Sequence, residues 1–186
     1  MQYGSAVILF IDYSVNCKDC HLLQRESEPL PKRWSEQSME TILDTGSCWF
    51  LERALYPDIL KIYVVEGVLS SEPQKLNISG VDLGTAYATV ITEASRRYLV
   101  SFENVLAYQI TRESLTRGED NVTATGTLRA YERSDYLDFV RSSTLVDAIG
   151  PETYTHFSLV LVDDVVDVIA GKEPSIEQMA GPPTDT

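Results

Sequence analysis

The sequence has few basic side chains, few cysteines and histidines, and no long apolar run. Its 186 residues contain 15 Lys and Arg against 28 Asp and Glu, which gives a formal net charge of -13. Nucleic acid is therefore a poor candidate partner, because phosphate binding depends on Lys and Arg that release counterions. An anionic membrane surface is disfavoured for the same reason. A basic protein is the partner class that this charge would steer.

Cysteine content and hydrophobic pattern predict a cytoplasmic chain. Three cysteines are an odd number and indicate no disulfide framework. Residues 1–5 lack the basic segment of a signal peptide, and the apolar run at 6–11 is too short for its hydrophobic region. No stretch approaches the roughly 20 apolar residues that a membrane span needs.

The remaining composition is that of a folded domain. Hydrophobic residues make up 44% and charged residues 23% of the chain, and both values are ordinary for a globular protein. The length fits one domain. We expect residues 1–180 to form a single globular domain and residues 181–186 to be a flexible tail.

Strand-like runs outnumber helical ones and follow one another along the chain. Apolar and β-branched patterns predict strands at 6–11, 59–69, 87–92, 98–102, 105–111 and 125–131, and a hairpin of 156–162 and 165–170. Helical spacing predicts helices at 35–43, 49–55 and 134–142, with Ser134 as an N-cap, and residues 73–84 read as a loop or an irregular edge. This order predicts an α+β domain with a largely antiparallel sheet and a few short helices.

The sharpest local motif is Cys17-Lys18-Asp19-Cys20-His21. Its pattern is that of c-type haem attachment, but covalent haem belongs to exported proteins and no export signal is visible. Cys17, Cys20, His21 and Cys48 are also zinc-ligand types. The second half of the chain lacks a paired C-x-x-C or H-x-x-H, so we expect no metal and no cofactor, and reduced cysteines in a loop.

The same motif resembles the dithiol of the thioredoxin-like family. Residues 7–13 precede Cys17-x-x-Cys20, and His21-Leu22-Leu23 follow it, like the strand and helix start of that family. Residues 157–171 resemble its late strand hairpin. The resemblance implies a thiol-disulfide oxidoreductase that uses Cys17 and Cys20, and this is our alternative hypothesis.

Other catalytic patterns are missing. The sequence contains no G-x-S-x-G, no phosphate-binding glycine loop and only two histidines, His21 and His156. His156 opens a predicted strand, where a structural role is more common than a catalytic one. We therefore expect no enzyme activity.

Acidic residues concentrate toward the end of the chain. Residues 121–186 carry -7 of the net charge. Asp163, Asp164 and Asp167 cluster at the predicted hairpin, with a spacing that does not match a calcium loop. Together with Glu119 and Asp120 they are our predicted partner-binding residues.

A second resemblance covers about 70 residues. Its elements are Phe102-Glu103-x-Val105-x-Ala107-Tyr108-x-Ile110-x-x-Glu113, then Tyr131-x-x-Ser134-x-Tyr136-Leu137, then His156-Phe157, and Val166-Asp167-Val168-Ile169. This succession resembles small acidic bacterial immunity-type (antitoxin) proteins. The resemblance implies direct binding of a cognate toxin, and the acidity of the chain favours a basic one. Tyr108, Tyr131 and Tyr136 are candidate anchors, although each could equally belong to the core.

Overall fold

The computed structural model describes residues 36–46, 48–56, 58–79, 81–115, 126–149 and 153–183. Several predicted features lie outside these residues. They are the strand at 6–11, the motif of Cys17, Cys20 and His21, and the partner-binding candidates Glu119 and Asp120. The described residues fall into two compact units, residues 69–90 in one and residues 36–68 and 91–183 in the other. The single domain expected over 1–180 stays a prediction.

Strands dominate both units. In chain order they are β1 (Glu36–Ser38), β2 (Trp49–Leu55), β3 (Leu60–Glu66), β4 (Val68–Ile78), β5 (Val81–Val90), β6 (Arg97–Phe102), β7 (Val105–Arg112), β8 (Leu128–Tyr131), β9 (Thr155–Val160), β10 (Asp164–Ala170) and β11 (Ser175–Met179). The helices are α1 (Asp135–Ser143) and α2 (Val146–Ile149), with short 3-10 turns at Ile42–Thr45 and Glu113–Leu115.

The larger unit contains two antiparallel sheets. One has the strand order β1-β8-β9-β10-β7 and the other the order β11-β6-β3-β2. Side chains from both sheets enter one shared core, which includes Ile62 of β3, Val100 and Phe102 of β6, and Phe157 and Val166 of β9 and β10. Since side chains alternate between the faces of a strand, this shared core means that the sheets pack face to face as a sandwich.

Helix α1 covers part of the outer face of the five-stranded sheet. Leu137 and Val140 are its buried residues, and they pack with Ile169 of β10 in a second apolar cluster. Ser134 caps the helix, because its Oγ accepts the Leu137 N–H at 2.9 Å. No helix in the described ranges is long and apolar enough to cross a membrane.

The other unit contributes the two-stranded sheet of β4 and β5. Its strands are long, with 11 and 10 residues. Ser79 at the end of β4 has a φ of 52°, in the left-handed region that turns use. Leu69, Val81 and Tyr87 are exposed on this hairpin.

The predicted α+β class is wrong, because the described chain is mostly antiparallel β-sheet. The predicted helix at 49–55 is strand β2, and the predicted helix at 35–43 is replaced by β1 and a 3-10 turn. Residues 73–84, predicted as a loop or an irregular edge, belong largely to the strands β4 and β5. In contrast, the Ser134-capped helix, the hairpin of β9 and β10, and the strands β6 and β7 are confirmed.

Candidate functional site

A polar cluster lies where the first turn of α1 meets the outer face of the five-stranded sheet. The His156 ring is at its centre, with Nδ1 2.8 Å from Ser134 Oγ and Nε2 3.1 Å from Asp167 Oδ1. Gln109 of β7 donates its side-chain N–H to Asp167 Oδ2 at 3.0 Å. Both Ser134 and His156 are buried. One hydrogen-bonded cluster therefore joins the start of α1 with β9, β10 and β7.

The charge of Asp167 determines the direction of these hydrogen bonds. Burial alone would raise the pKa of this carboxyl, but hydrogen bonds from His156, Gln109 and Ser158 outweigh burial and hold the pKa below its usual value. An ionised carboxylate only accepts, so His156 Nε2 carries the proton of that bond. In the neutral ring Nδ1 then accepts the Ser134 hydroxyl proton, while Ser134 Oγ accepts the Leu137 N–H.

Two tyrosines enclose the imidazole. Tyr131 stacks on His156 with ring centroids 5.0 Å apart, and Tyr136 meets it edge-on at 5.5 Å. Burial, and then the nearby charge of Asp167, raise the pKa of the Tyr136 phenol. Both tyrosines, suggested by the sequence as partner anchors, thus lie half-buried against this cluster.

The cluster contains the residue types of a Ser-His-Asp triad, which the sequence did not predict. The geometry of the cluster indicates a structural role. Ser134 is only 6% exposed, and the Ser134 Oγ caps the first turn of α1. A catalytic serine needs its oxygen free for attack on a substrate. We therefore assign the cluster to holding α1 on the sheet.

The predicted partner-binding residues divide between two places. Asp163 and Asp164 lie at the turn between β9 and β10, where the Asp163 carbonyl accepts the Glu113 N–H at 2.9 Å. Asp164 Oδ1 is 3.9 Å from Arg112 Nε. The side chain of Asp167 is 13% exposed and belongs to the polar cluster, so its carboxylate is not part of the acidic turn.

An exposed apolar group lies along β7, at the end of the five-stranded sheet. Tyr56, Tyr108 and Ile110 are 48%, 40% and 42% exposed. Tyr56 and Tyr108 contact each other, with ring centroids 5.4 Å apart. The Tyr56 hydroxyl donates to the Val105 carbonyl at 3.3 Å. Tyr56 follows β2, so this group bridges the rims of the two sheets.

Strand register connects the apolar group with the acidic turn. Tyr108 and Ile110 pair with Val168 and Val166 of β10, both fully buried, so their side chains lie on the core-facing side of the sheet at its rim. Two residues beyond Ile110, Arg112 pairs with Asp164. The β7 surface is defined here as six residues, Tyr56, Tyr108, Ile110, Glu113, Asp163 and Asp164.

The β7 surface combines an apolar strip with an acidic end. Three carboxylates, those of Glu113, Asp163 and Asp164, surround the end of the strand, where Arg112 is the basic residue within ion-pair distance of Asp164. Arg112 itself is 68% exposed. The arrangement suits a partner that presents apolar and cationic groups side by side.

Metal and redox chemistry find no further support in the described ranges. These ranges hold no group of three or more His, Cys, Asp or Glu residues placed to bind a metal. Cys48 is half-buried with a free thiol, while Cys17, Cys20 and His21 lie outside the described residues. The oxidoreductase alternative therefore stays a prediction.

The partner-binding residues predicted from the sequence did not include Tyr56, Ile110 or Glu113 of the β7 surface. The contact of Tyr56 with Tyr108 joins the rims of different sheets and depends on the sheet order, which composition does not reveal. The alternation of Tyr108 and Ile110 with Gln109 and Thr111 was the available signal, since it marks a strand with unlike faces.

No family model, curated protein or solved structure matches this chain.

Proposed function

We propose that this chain is a protein-binding domain that engages a basic protein partner through the β7 surface. One observation carries the proposal: two tyrosines and an isoleucine, each at least 40% exposed, lie beside an acidic strand end. Partner residues that cover such a strip remove apolar area from water, and tyrosine is among the residues that contribute most at interfaces.

The carboxylates of the chain would increase the rate of association and the selectivity for a cationic partner. A chain with a net charge of -13 attracts a cationic partner from a distance and repels other acidic proteins. The acidic end of the β7 surface is the place where cationic groups of the partner would bind. Charge complementarity of this kind raises the association rate more than it raises the final affinity.

The finer form of the proposal is an immunity protein that neutralises a cognate toxin by direct binding in the cytoplasm. Its support is the acidic composition together with the resemblance to immunity-type proteins. Tyr108, Ile110 and Glu113 belong to the resembling pattern and also to the β7 surface. The toxin would present a basic surface, as nucleic-acid-cleaving enzymes do.

The test uses the product of the gene adjacent to the one that encodes this chain. We expect the two purified proteins to form a stoichiometric complex in size-exclusion chromatography, and co-expression to restore growth that the neighbouring product alone inhibits. Replacing Asp163 and Asp164 by Asn should weaken the complex, because it removes the charges beside the apolar strip.

The matched control neutralises two exposed acids on α1, Asp135 and Asp138. The control carries the same change in net charge and should bind as the unchanged chain does. Absence of a complex contradicts the immunity form of the proposal. Equal weakening by both double variants contradicts the β7 surface as the binding site, since only total charge would then matter.

A further inference from the structure

Strand β7 is the least protected edge of the two sheets in the larger unit. The other three edges of these two sheets are short or irregular: β1 has 3 residues, β11 has 5, and β2 has a register shift between Leu51 and Arg53. β7 has 8 residues, and it pairs with β10 without a shift from Ala107 to Arg112. Long, regular, apolar edges are templates for another strand, which proteins usually block with bulges, lysines or prolines.

The backbone of β7 presents its hydrogen-bonding groups in a defined order. The Glu113 N–H donates to the Asp163 carbonyl on the β10 side. Because successive amides of a strand point to opposite sides, the N–H groups of Thr111 and Gln109 also face β10. Those of Ile110 and Tyr108 face away from it, toward the edge that ends the described sheet.

We propose that β7 binds its partner by strand addition, accepting an extended basic segment of the partner as a sixth strand. This inference rests on the proposed function and specifies how the partner docks. Main-chain hydrogen bonds would form with Tyr108 and Ile110, and side chains of the added strand would continue the two faces of the sheet.

The side chains on the two faces of β7 determine which residue types the added segment should contain. On the core-facing side the added strand meets Tyr108 and Ile110, so alternate residues of the segment are apolar. On the other side it meets Gln109 and Thr111, so the intervening residues are polar. Lys or Arg at the end of the segment lies beside Asp163 and Asp164.

A second copy of this chain is a poorer occupant than a basic partner. Two copies would bring together net charges of -13 each, and repulsion between these like charges opposes self-association. The charge complementarity therefore favours a cationic segment.

Amide hydrogen exchange of the full chain tests the docking mode with synthetic peptides. The probe is a peptide of the same length as β7, 8 residues, that alternates valine and threonine with lysine at both ends. We expect the Gln109 and Thr111 amides to exchange slowly before the peptide is added. The Tyr108 and Ile110 amides should exchange rapidly before addition, and more slowly by about tenfold or more with saturating peptide.

Two matched peptides and two variants complete the experiment. A peptide with glutamate in place of lysine, and one with proline at its centre, should give no protection. Ile110→Pro removes an outward N–H and should abolish peptide binding, whereas Ile110→Val should retain it. Slow exchange of Gln109 and Thr111 in Ile110→Pro verifies that the strand still pairs with β10.

Each other outcome overturns the proposal. Unchanged exchange at Tyr108 and Ile110 with the lysine peptide excludes strand addition, and so does unchanged binding by a folded Ile110→Pro variant. Protection that rises with protein concentration alone identifies a second copy as the occupant. A neighbouring gene product that binds without protecting these amides contradicts strand addition but leaves the protein-binding function standing.

Discussion

Asp167 keeps its charge in a site that is largely shielded from water. Its side chain is 13% exposed, yet its pKa lies below the ordinary carboxyl value because three side-chain donors offset the cost of burial. The residue therefore stabilises the fold through hydrogen bonds to a charged acceptor, which contribute more than neutral ones. The sequence placed it with the acidic turn because the strand pattern does not show what lies across the sheet.

Asp167→Asn should lower the free energy of unfolding by about 1–3 kcal/mol at neutral pH, because the hydrogen bond from His156 loses its charged acceptor. Urea denaturation followed by circular dichroism measures this loss. Asp163→Asn, at the hairpin turn, is the control and should change the free energy by about 0.5 kcal/mol or less.

The effect of Asp167 depends on pH in a defined direction. The folded-state pKa of Asp167 is lower than its unfolded-state value, so its contribution is complete above the ordinary carboxyl range and is lost as the pH falls through the folded-state pKa. The difference between the native chain and Asp167→Asn should therefore shrink on acidification. A difference that is constant with pH would show that the carboxylate charge is not the cause.

Helix α1 illustrates how one cap connects two elements. Ser134 Oγ accepts the Leu137 N–H and also contacts His156 Nδ1, so the start of the helix is tied to β9. On the buried face of the helix, Leu137 and Val140 pack against Ile169 of β10. The cap and the apolar face together hold a short helix that would be marginal alone.

Ser134→Ala should destabilise the chain by about 0.5–2 kcal/mol, the usual cost of losing an N-cap. Ser142→Ala, on the exposed side of the same helix, is the matched control and should be close to neutral. Thermal unfolding gives the ranking, and hydrogen exchange at the Leu137 amide reports the cap directly. Equal stability of both variants would show that Ser134 does not hold the helix.

Strand β2 shows why the predicted secondary structure was partly wrong. Leu51 and Ala54 pair with Val64 and Ile62, both core residues, and the register shifts between Leu51 and Arg53. The bulge places inward side chains three residues apart, which is the spacing of a helix rather than that of a strand. The pattern therefore predicted a helix at 49–55.

Proline obscured the strand character of β4. Pro73 and the polar residues near it predicted a loop or an irregular edge, and they lie within a strand of the two-stranded sheet. Such a sheet has outward-facing N–H positions that need no ladder partner, and proline is tolerated there. By contrast, the cap at Ser134 and the alternation in β6, β7 and β10 are local signals, and the sequence predicted those elements well.

The candidate site could be predicted only in part, because its residues meet through sheet order. Asp163 and Asp164 follow from the hairpin, and Tyr108 follows from the strand. Their relation to Tyr56 needs β2 and β7 to face each other across the sandwich, a contact set by tertiary packing. Ser134, His156 and Asp167 likewise come together from three elements.

At the scale of the molecule, the charge of -13 should govern how fast a partner arrives. We expect the association rate constant with the neighbouring gene product to fall by about tenfold or more between low and high ionic strength, while the dissociation rate changes little. Stopped-flow fluorescence measures both rates. An association rate that is independent of salt would contradict electrostatic steering.

The affinity of Tyr108→Ala for the neighbouring gene product tests the central claim most directly. Isothermal titration calorimetry should show binding weakened by about tenfold or more relative to the unchanged chain, because Tyr108 is an exposed aromatic residue of the β7 surface, in contact with Tyr56. Phe139→Ala, which removes a 64% exposed ring from α1, should leave the affinity unchanged. Equal affinities for Tyr108→Ala and the unchanged chain, or a loss confined to Phe139→Ala, would contradict binding through β7.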